Sequence, residues 1–168
     1  MDLYLLRHAI AAEARIGSLT ADSERPLTEE GKKKMVRIAR AMRKLGLPFD
    51  LILSSPYVRA RETADIVAVE FGLKNACELT PHLEPGQNLE SLVKLVRTRS
   101  TDAPSILLVG HEPMLSTLIA VLLGGRDATI GITMKKAGLC RLRVDALRYG
   151  KCATLEWLLA PRQLLHIK

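Results

Sequence analysis

Ile106-Leu107-Leu108-Val109 is the stretch that most restricts what this chain can become. Four consecutive aliphatic residues are too few for a helix and too uniformly apolar for a half-solvated strand. They predict a buried strand, ended by Gly110-His111-Glu112-Pro113, with Pro113 starting a helix through Leu123 that Gly124-Gly125 closes. Two further runs have the same form. Leu3–Leu6 stops at Arg7-His8, and Phe49–Leu53 runs into Ser54-Ser55-Pro56.

The segments between these runs have helical spacing. Thr28 followed by Glu29-Glu30 predicts a capped helix start, with acids set against the helix dipole. Met35, Ile38, Ala39, Met42 and Leu45 then form one apolar stripe, which ends at Gly46 and Pro48. A serine N-cap with Pro56 in the first turn predicts a second helix, carrying Val58, Ala60, Ala64, Val67, Ala68 and Phe71 up to Gly72. A weak strand around Cys77–Leu79 follows, and Asn88 caps a third helix to about Thr98. Leu139–Val144 and Ala153–Leu159 alternate in polarity and read as an antiparallel hairpin at one sheet edge. Residues 10–27 show no period and read as loop. The β-α alternation predicts a three-layer α/β/α sandwich with a mostly parallel central sheet and an antiparallel edge, formed by residues 1–168 as a single domain.

Composition narrows the partners. With 48% hydrophobic and 26% charged residues, the chain is globular rather than disordered. No apolar run approaches the roughly 20 residues that span a bilayer. Asp2 and Arg7 bracket too short an apolar run for a signal peptide, so a cytoplasmic location is expected, with no membrane partner. Cys77, Cys140 and Cys152 are odd in number and widely spaced, which predicts buried reduced thiols and no metal centre. The net charge of +7 favours anionic partners. Six aromatics leave few platforms for stacking bases, and no nucleic-acid partner is expected; phosphorylated substrates or an acidic protein fit the charge.

Taken alone, Arg7-His8 reads as a solvated strand cap. Two more strand ends change that reading: Ser54-Ser55, with Arg59 one turn later, and Gly110-His111. Right-handed crossovers bring the C-terminal ends of parallel strands to one edge, where α/β sheets bind ligands. Two imidazoles and two guanidiniums at one cleft suit phosphoryl transfer. Arginine forks bind phosphate oxygens, and an imidazole held neutral by nearby arginines can attack phosphorus. Helix N-termini after Ser55 and His111 would add backbone donors.

Leu-Leu-Arg-His-Ala at the N-terminus, Arg-Pro-Leu-Thr-Glu-Glu-Gly at 25–31, Ser-Ser-Pro-Tyr-Val-Arg-Ala-Arg-Glu-Thr-Ala at 54–64 and Val-Gly-His-Glu-Pro at 109–113 occur in this order. Together they resemble the histidine phosphatase (phosphoglycerate mutase-like) superfamily. The short length and the Arg-Pro-Leu-Thr block are similar to its SixA-type phosphohistidine phosphatases.

The resemblance implies a phosphoglycerate mutase-like fold and a metal-independent, cofactor-free phosphatase in which His8 is the phosphoacceptor. Arg7 and Arg59 would bind the phosphoryl group, and His111 would complete the pocket. Arg25 opens the family's Arg-Pro-Leu-Thr block and is either a further anion contact or a loop arginine paired with Asp22 or Glu24. The implied substrate is a phosphohistidine-bearing protein of the two-component phosphotransfer type. A small-molecule phosphomonoesterase using the same histidine, and a non-catalytic phosphoprotein-binding module, are the alternatives.

Two departures from the family pattern stand out. Ala9 replaces the usual glycine, which a negative φ would tolerate. No acid is clearly placed as proton donor; Glu84 is the one candidate, and otherwise an ordinary loop carboxylate. A phosphohistidine substrate makes that absence sensible, since an imidazole leaving group can be protonated by solvent.

Overall fold

The computed structural model describes residues 1–13 and 21–167. Six strands form one sheet in the order β3-β2-β4-β1-β5-β6: β1 (Asp2–Arg7), β2 (Leu51–Ser54), β3 (Cys77–Leu79), β4 (Ser105–Gly110), β5 (Leu139–Val144) and β6 (Ala153–Leu159). β1 to β4 are mutually parallel, and β5 and β6 are antiparallel to their neighbours. The expected mostly parallel sheet with an antiparallel edge hairpin is what forms.

The helices are α1 (Glu29–Lys44), α2 (Val58–Phe71), α3 (Leu89–Arg99), α4 (Met114–Gly124) and a final turn, α5 (Pro161–Leu164). They cover both faces. Leu3, Leu5, Leu53, Ile106 and Leu108 pack on α3 and α4, whereas Tyr4, Leu6, Ile52, Leu107 and Val109 pack on α1 and α2. Each unbroken apolar run is thus divided by the two-residue period of a strand and buried on both sides.

Local chemistry explains the boundaries. Thr28 Oγ1 accepts from the Gly31 N–H at 2.9 Å, and Asn88 Oδ1 accepts from the Ser91 N–H at 3.0 Å, so both predicted caps operate. Gly31 has a further reason to be glycine. A Cβ there would collide with the Ile10 carbonyl, which also accepts from the Thr28 N–H at 3.0 Å. The start of α1 is therefore seated directly on the chain leaving β1.

Four expectations need correction. Ser54-Ser55-Pro56 does not cap α2; the helix starts at Val58 after Tyr57, because the Ser55 hydroxyl lies elsewhere, as described below. The second strand is Leu51–Ser54 rather than Phe49–Leu53. Leu45 is 41% exposed, because it follows the last turn of α1 and points away from the stripe. Only Cys140 is buried among the thiols; Cys77 and Cys152 are half-buried, and all three are free. The expected loop over 10–27 contains a bridge from Ala11 to Leu27 and a 3-10 turn at Asp22–Glu24, and its residues 14–20 lie outside the described residues. No helix among the described residues is long and apolar enough to cross a membrane.

β1 and β4 are central neighbours, but their outgoing chains diverge. The chain from β1 leads to α1 on one face, and that from β4 leads to α4 on the other. Such a divergence opens a crevice at the strand ends.

Candidate active site

Strand register builds the site. Arg7 pairs with Gly110, and the His8 N–H extends the ladder to the Gly110 carbonyl at 3.0 Å. His8 and His111 therefore emerge side by side, with ring centroids 5.1 Å apart. On the other flank of β4, the Ser55 N–H donates to the Val109 carbonyl at 3.0 Å, which brings the start of the α2 segment to the same edge. Arg7, His8, Asp22, Arg25, Arg59, His111, Glu112 and Lys136 line an open cavity of about 300 Å³ there.

A backbone partner fixes the tautomer of the His8 imidazole. A carbonyl only accepts, so the 2.8 Å contact of His8 Nδ1 with the Ala9 carbonyl assigns the ring proton to Nδ1 and leaves the lone pair on Nε2. Ser55 Oγ accepts from the Tyr57 N–H at 3.3 Å and lies 2.9 Å from His111 Nε2, a contact in which either partner can be the donor.

Both rings are neutral. His8 is 7% exposed, and burial first of all, then the charges of Arg59, Arg7 and Lys136, lower its pKa to about 4 against the opposing hydrogen bond that the ring donates to the Ala9 carbonyl. Burial, not the arginines, is the leading cause. His111 is 2% exposed and is lowered to about 3 by burial, then by His8 and Arg59.

The guanidiniums are fixed by partners within the protein. Arg7 Nη1 donates to the Met134 carbonyl at 2.7 Å. Arg59, 4% exposed, donates through Nη1 to the Asp22 carbonyl at 2.6 Å and through Nη2 to Asp22 Oδ2 at 2.9 Å. Thr63 ties the base of Arg59 to the nucleophile strand: its hydroxyl donates to the Arg59 carbonyl at 2.6 Å and accepts from the Ala9 N–H at 3.0 Å. Ala9 does not take a positive φ, so its methyl is accommodated without backbone strain.

Arg7 Nε, Arg59 Nε and His111 Nδ1 are buried without a hydrogen-bond partner among the described residues. Orphaned buried polar groups cost about 1–3 kcal/mol each, and two arginine donors and an imidazole nitrogen left unpaired at one cavity suit an anion.

His8, Arg7, Arg59 and His111 thus converge. Arg25 also lines the cavity, but its Nε donates to Asp22 Oδ1 at 2.7 Å and its Nη1 to the Ala12 carbonyl at 2.9 Å, so it is both paired and adjacent. Glu84 is half-buried after the Pro81–Leu83 turn and does not line the cavity, although Pro85 does. Glu62 is an anchor, accepting from the Leu27 N–H at 2.6 Å beside Lys32. Among the described residues, no group of three or more His, Cys, Asp or Glu could hold a metal ion.

Sequence reasoning missed Asp22 as a partner of Arg59, and also Thr63, Glu112 and Lys136. Glu112 was visible beside His111, and it caps α4 by accepting from the Ser116 N–H at 3.1 Å. Lys136 had one signal: an antiparallel strand beside β1 must begin at the edge where β1 ends.

Residues 3–85 match the family described as histidine phosphatase superfamily (branch 1). An uncharacterized protein of Picosynechococcus sp. is 36% identical over 155 residues, which is 88% of each chain. Phosphohistidine phosphatase SixA of Escherichia coli is 24% identical, covering 98% of this chain and 96% of its own. The solved structure of the protein histidine phosphatase SixA complexed with tungstate superposes with a TM-score of 0.81, at 24% identity over 98% of this chain and 99% of that one.

Proposed function

The chain belongs to the histidine phosphatase superfamily, and from that premise we propose that it is a cytoplasmic, metal-independent phosphatase that removes phosphate from a phosphohistidine-bearing protein of the two-component phosphotransfer type. The observation that carries this reading is the Nε2 lone pair of a neutral His8 set among two fixed guanidiniums and beside the His111 ring.

In the proposed reaction, Arg7 and Arg59 bind the phosphoryl oxygens, and His111, in its Nδ1–H tautomer with Nε2 accepting from the Ser55 hydroxyl, donates to the charge that develops on them. The His8 Nε2 lone pair forms a bond to phosphorus as the substrate's P–N bond breaks. The departing imidazole takes a proton from water. A second water then attacks phosphorus, the bond to His8 breaks, and inorganic phosphate and neutral His8 are released. The Nδ1–H donated to the Ala9 carbonyl stabilises the positive charge that the ring acquires in the intermediate.

An imidazole leaving group suits a cavity whose acids are engaged. Asp22 is held by Arg59 and Arg25, Glu112 caps α4, and Glu84 is off the lining. An alkoxide leaving group would need a positioned acid. Small phosphate esters are for that reason the second reading.

A competition tests the assignment. The protein is incubated with a phosphohistidine-bearing phosphotransfer domain and a panel of phosphate esters, and kcat/KM is measured for each. Phosphohistidine should be turned over fastest. Faster turnover of several esters would remove the phosphohistidine assignment and leave the esterase reading.

A further inference from the structure

Four cations line the cavity, and three of them are already partnered within the protein. Arg7 is bonded to the Met134 carbonyl, and Arg25 and Arg59 share the Asp22 carboxylate. Lys136 is exposed at the rim and makes no ion pair or side-chain hydrogen bond among the described residues.

Its mounting is unusual for a surface lysine. Lys136 is the second residue of a turn closed by the Gly138 N–H on the Lys135 carbonyl at 2.7 Å. The third residue, Ala137, has a φ of 61°, the left-handed conformation that such a turn normally gives to glycine. A non-glycine residue is held there only where its surroundings over-determine it, and such residues cluster at functional sites. Here the constraint is the nucleophile strand itself. The Ala137 N–H donates to both the Arg7 and the His8 carbonyls, at 3.0 and 3.1 Å, and the Arg7 N–H donates to the Gly138 carbonyl at 3.1 Å. With the bond from the Arg7 side chain to the Met134 carbonyl, the turn that carries Lys136 is tied to Arg7-His8 from both sides. The ammonium is close enough to help depress the His8 pKa.

We infer that Lys136 is a specificity-determining residue, receiving a carboxylate that the substrate carries beside its phosphoryl group. The guanidinium forks suit the trigonal oxygens of phosphate, whereas an ammonium on a flexible stem accepts one negative charge in many geometries. On a phosphohistidine protein, that carboxylate would be an acidic residue flanking the phosphohistidine; on a small substrate, it would be a carboxylate on the same molecule. The inference rests on the phosphatase reading above and adds to it what lies beside the phosphoryl group.

The test is a ratio measured on two matched pairs. One pair is phosphohistidine peptides differing only in Glu or Gln next to the phosphohistidine; the other is carboxyphenyl phosphate and phenyl phosphate. Wild type should prefer the acidic member by about 3- to 10-fold, and about 0.5 M salt should shrink that preference. Lys136→Gln should bring the ratio to about one, Lys136→Arg should retain it and Lys136→Glu should invert it. Because each ratio is taken on one preparation, a loss of folded protein cancels. Discrimination within the aryl pair without peptide turnover keeps the role of Lys136 and removes the phosphohistidine assignment. Peptide turnover with equal rates for Glu and Gln, or a preference that survives in Lys136→Gln, overturns the inference. No turnover of either pair overturns it together with the phosphatase reading.

Discussion

Asp22 grips the Arg59 guanidinium at two points, its own carbonyl taking Nη1 at 2.6 Å and its carboxylate taking Nη2 at 2.9 Å. The other carboxylate oxygen takes Arg25 at 2.7 Å. Burial alone would raise the Asp22 pKa, but the hydrogen bond and charge of Arg59, followed by those of Arg25, hold it below the usual carboxylate range. Asp22 is therefore an ionised spacer between two cations, and it positions the one that is almost fully buried.

Replacing Asp22 should act on rate through Arg59. Asp22→Ala removes the side-chain contacts and leaves only the carbonyl, so kcat/KM should fall by roughly 10- to 100-fold, the scale of an ångström-sized misplacement. Asp22→Asn keeps an accepting oxygen and should fall between. Steady-state kinetics of the two variants checks this ordering, and equal activity in Asp22→Ala and wild type would remove Asp22 from the positioning of Arg59.

The low histidine pKa values set the acid limb of both activity and stability. The nucleophile needs neutral His8, so kcat/KM should stay level as pH falls through 6.5 and drop only near its folded value of about 4. Stability follows the same groups. Unfolded histidine binds its proton near pH 6.5, while His8 and His111 resist until about 4 and about 3, so between these values the unfolded state holds more protons. Unfolding free energy should therefore decrease as pH falls from about 6.5 to about 4, by on the order of 3 kcal/mol for His8. Above 6.5 the term is constant. Asp22 has the depressed-carboxylate sign, stabilising above its unfolded pKa and losing that effect as pH falls through its lower folded value. Urea unfolding across this range should show a shallower slope in His8→Ala than in wild type.

Thr63 is a single hydroxyl bridging the two halves of the site. Thr63→Val keeps its shape but strands the buried Ala9 N–H, at a cost of about 1–3 kcal/mol in stability. Because the same hydroxyl fixes the Arg59 carbonyl, kcat/KM should fall by roughly 10-fold as well. Urea titration and steady-state kinetics on one preparation check both; a stability loss with unchanged kinetics would limit Thr63 to a packing role.

The parts of this site that were legible in the sequence are those that sit at strand ends. Leu3–Leu6 and Ile106–Val109 are visible as apolar runs, and a parallel sheet must bring Arg7-His8 and Gly110-His111 to one edge. The pairing of Asp22 with Arg59 spans 37 residues of sequence and depends on where a short 3-10 turn lands against α2, which no local pattern encodes. Lys136 was hidden for a similar reason, since its importance comes from a turn bonded to a strand more than a hundred residues earlier. Ser-Ser-Pro carries a sound capping signal, yet α2 starts only at Val58. Tertiary structure spends the Ser55 hydroxyl on His111 and the Tyr57 N–H instead.

The central claim is that His8 takes the phosphoryl group. Rapid acid-free quenching during turnover of a labelled phosphohistidine protein, followed by peptide mapping, tests it directly. The expected result is an acid-labile, base-stable phosphate on His8 alone, formed and lost at rates compatible with turnover and absent from His8→Ala, whose activity falls by several orders of magnitude. A label on any other residue, or undiminished turnover by His8→Ala, would contradict it.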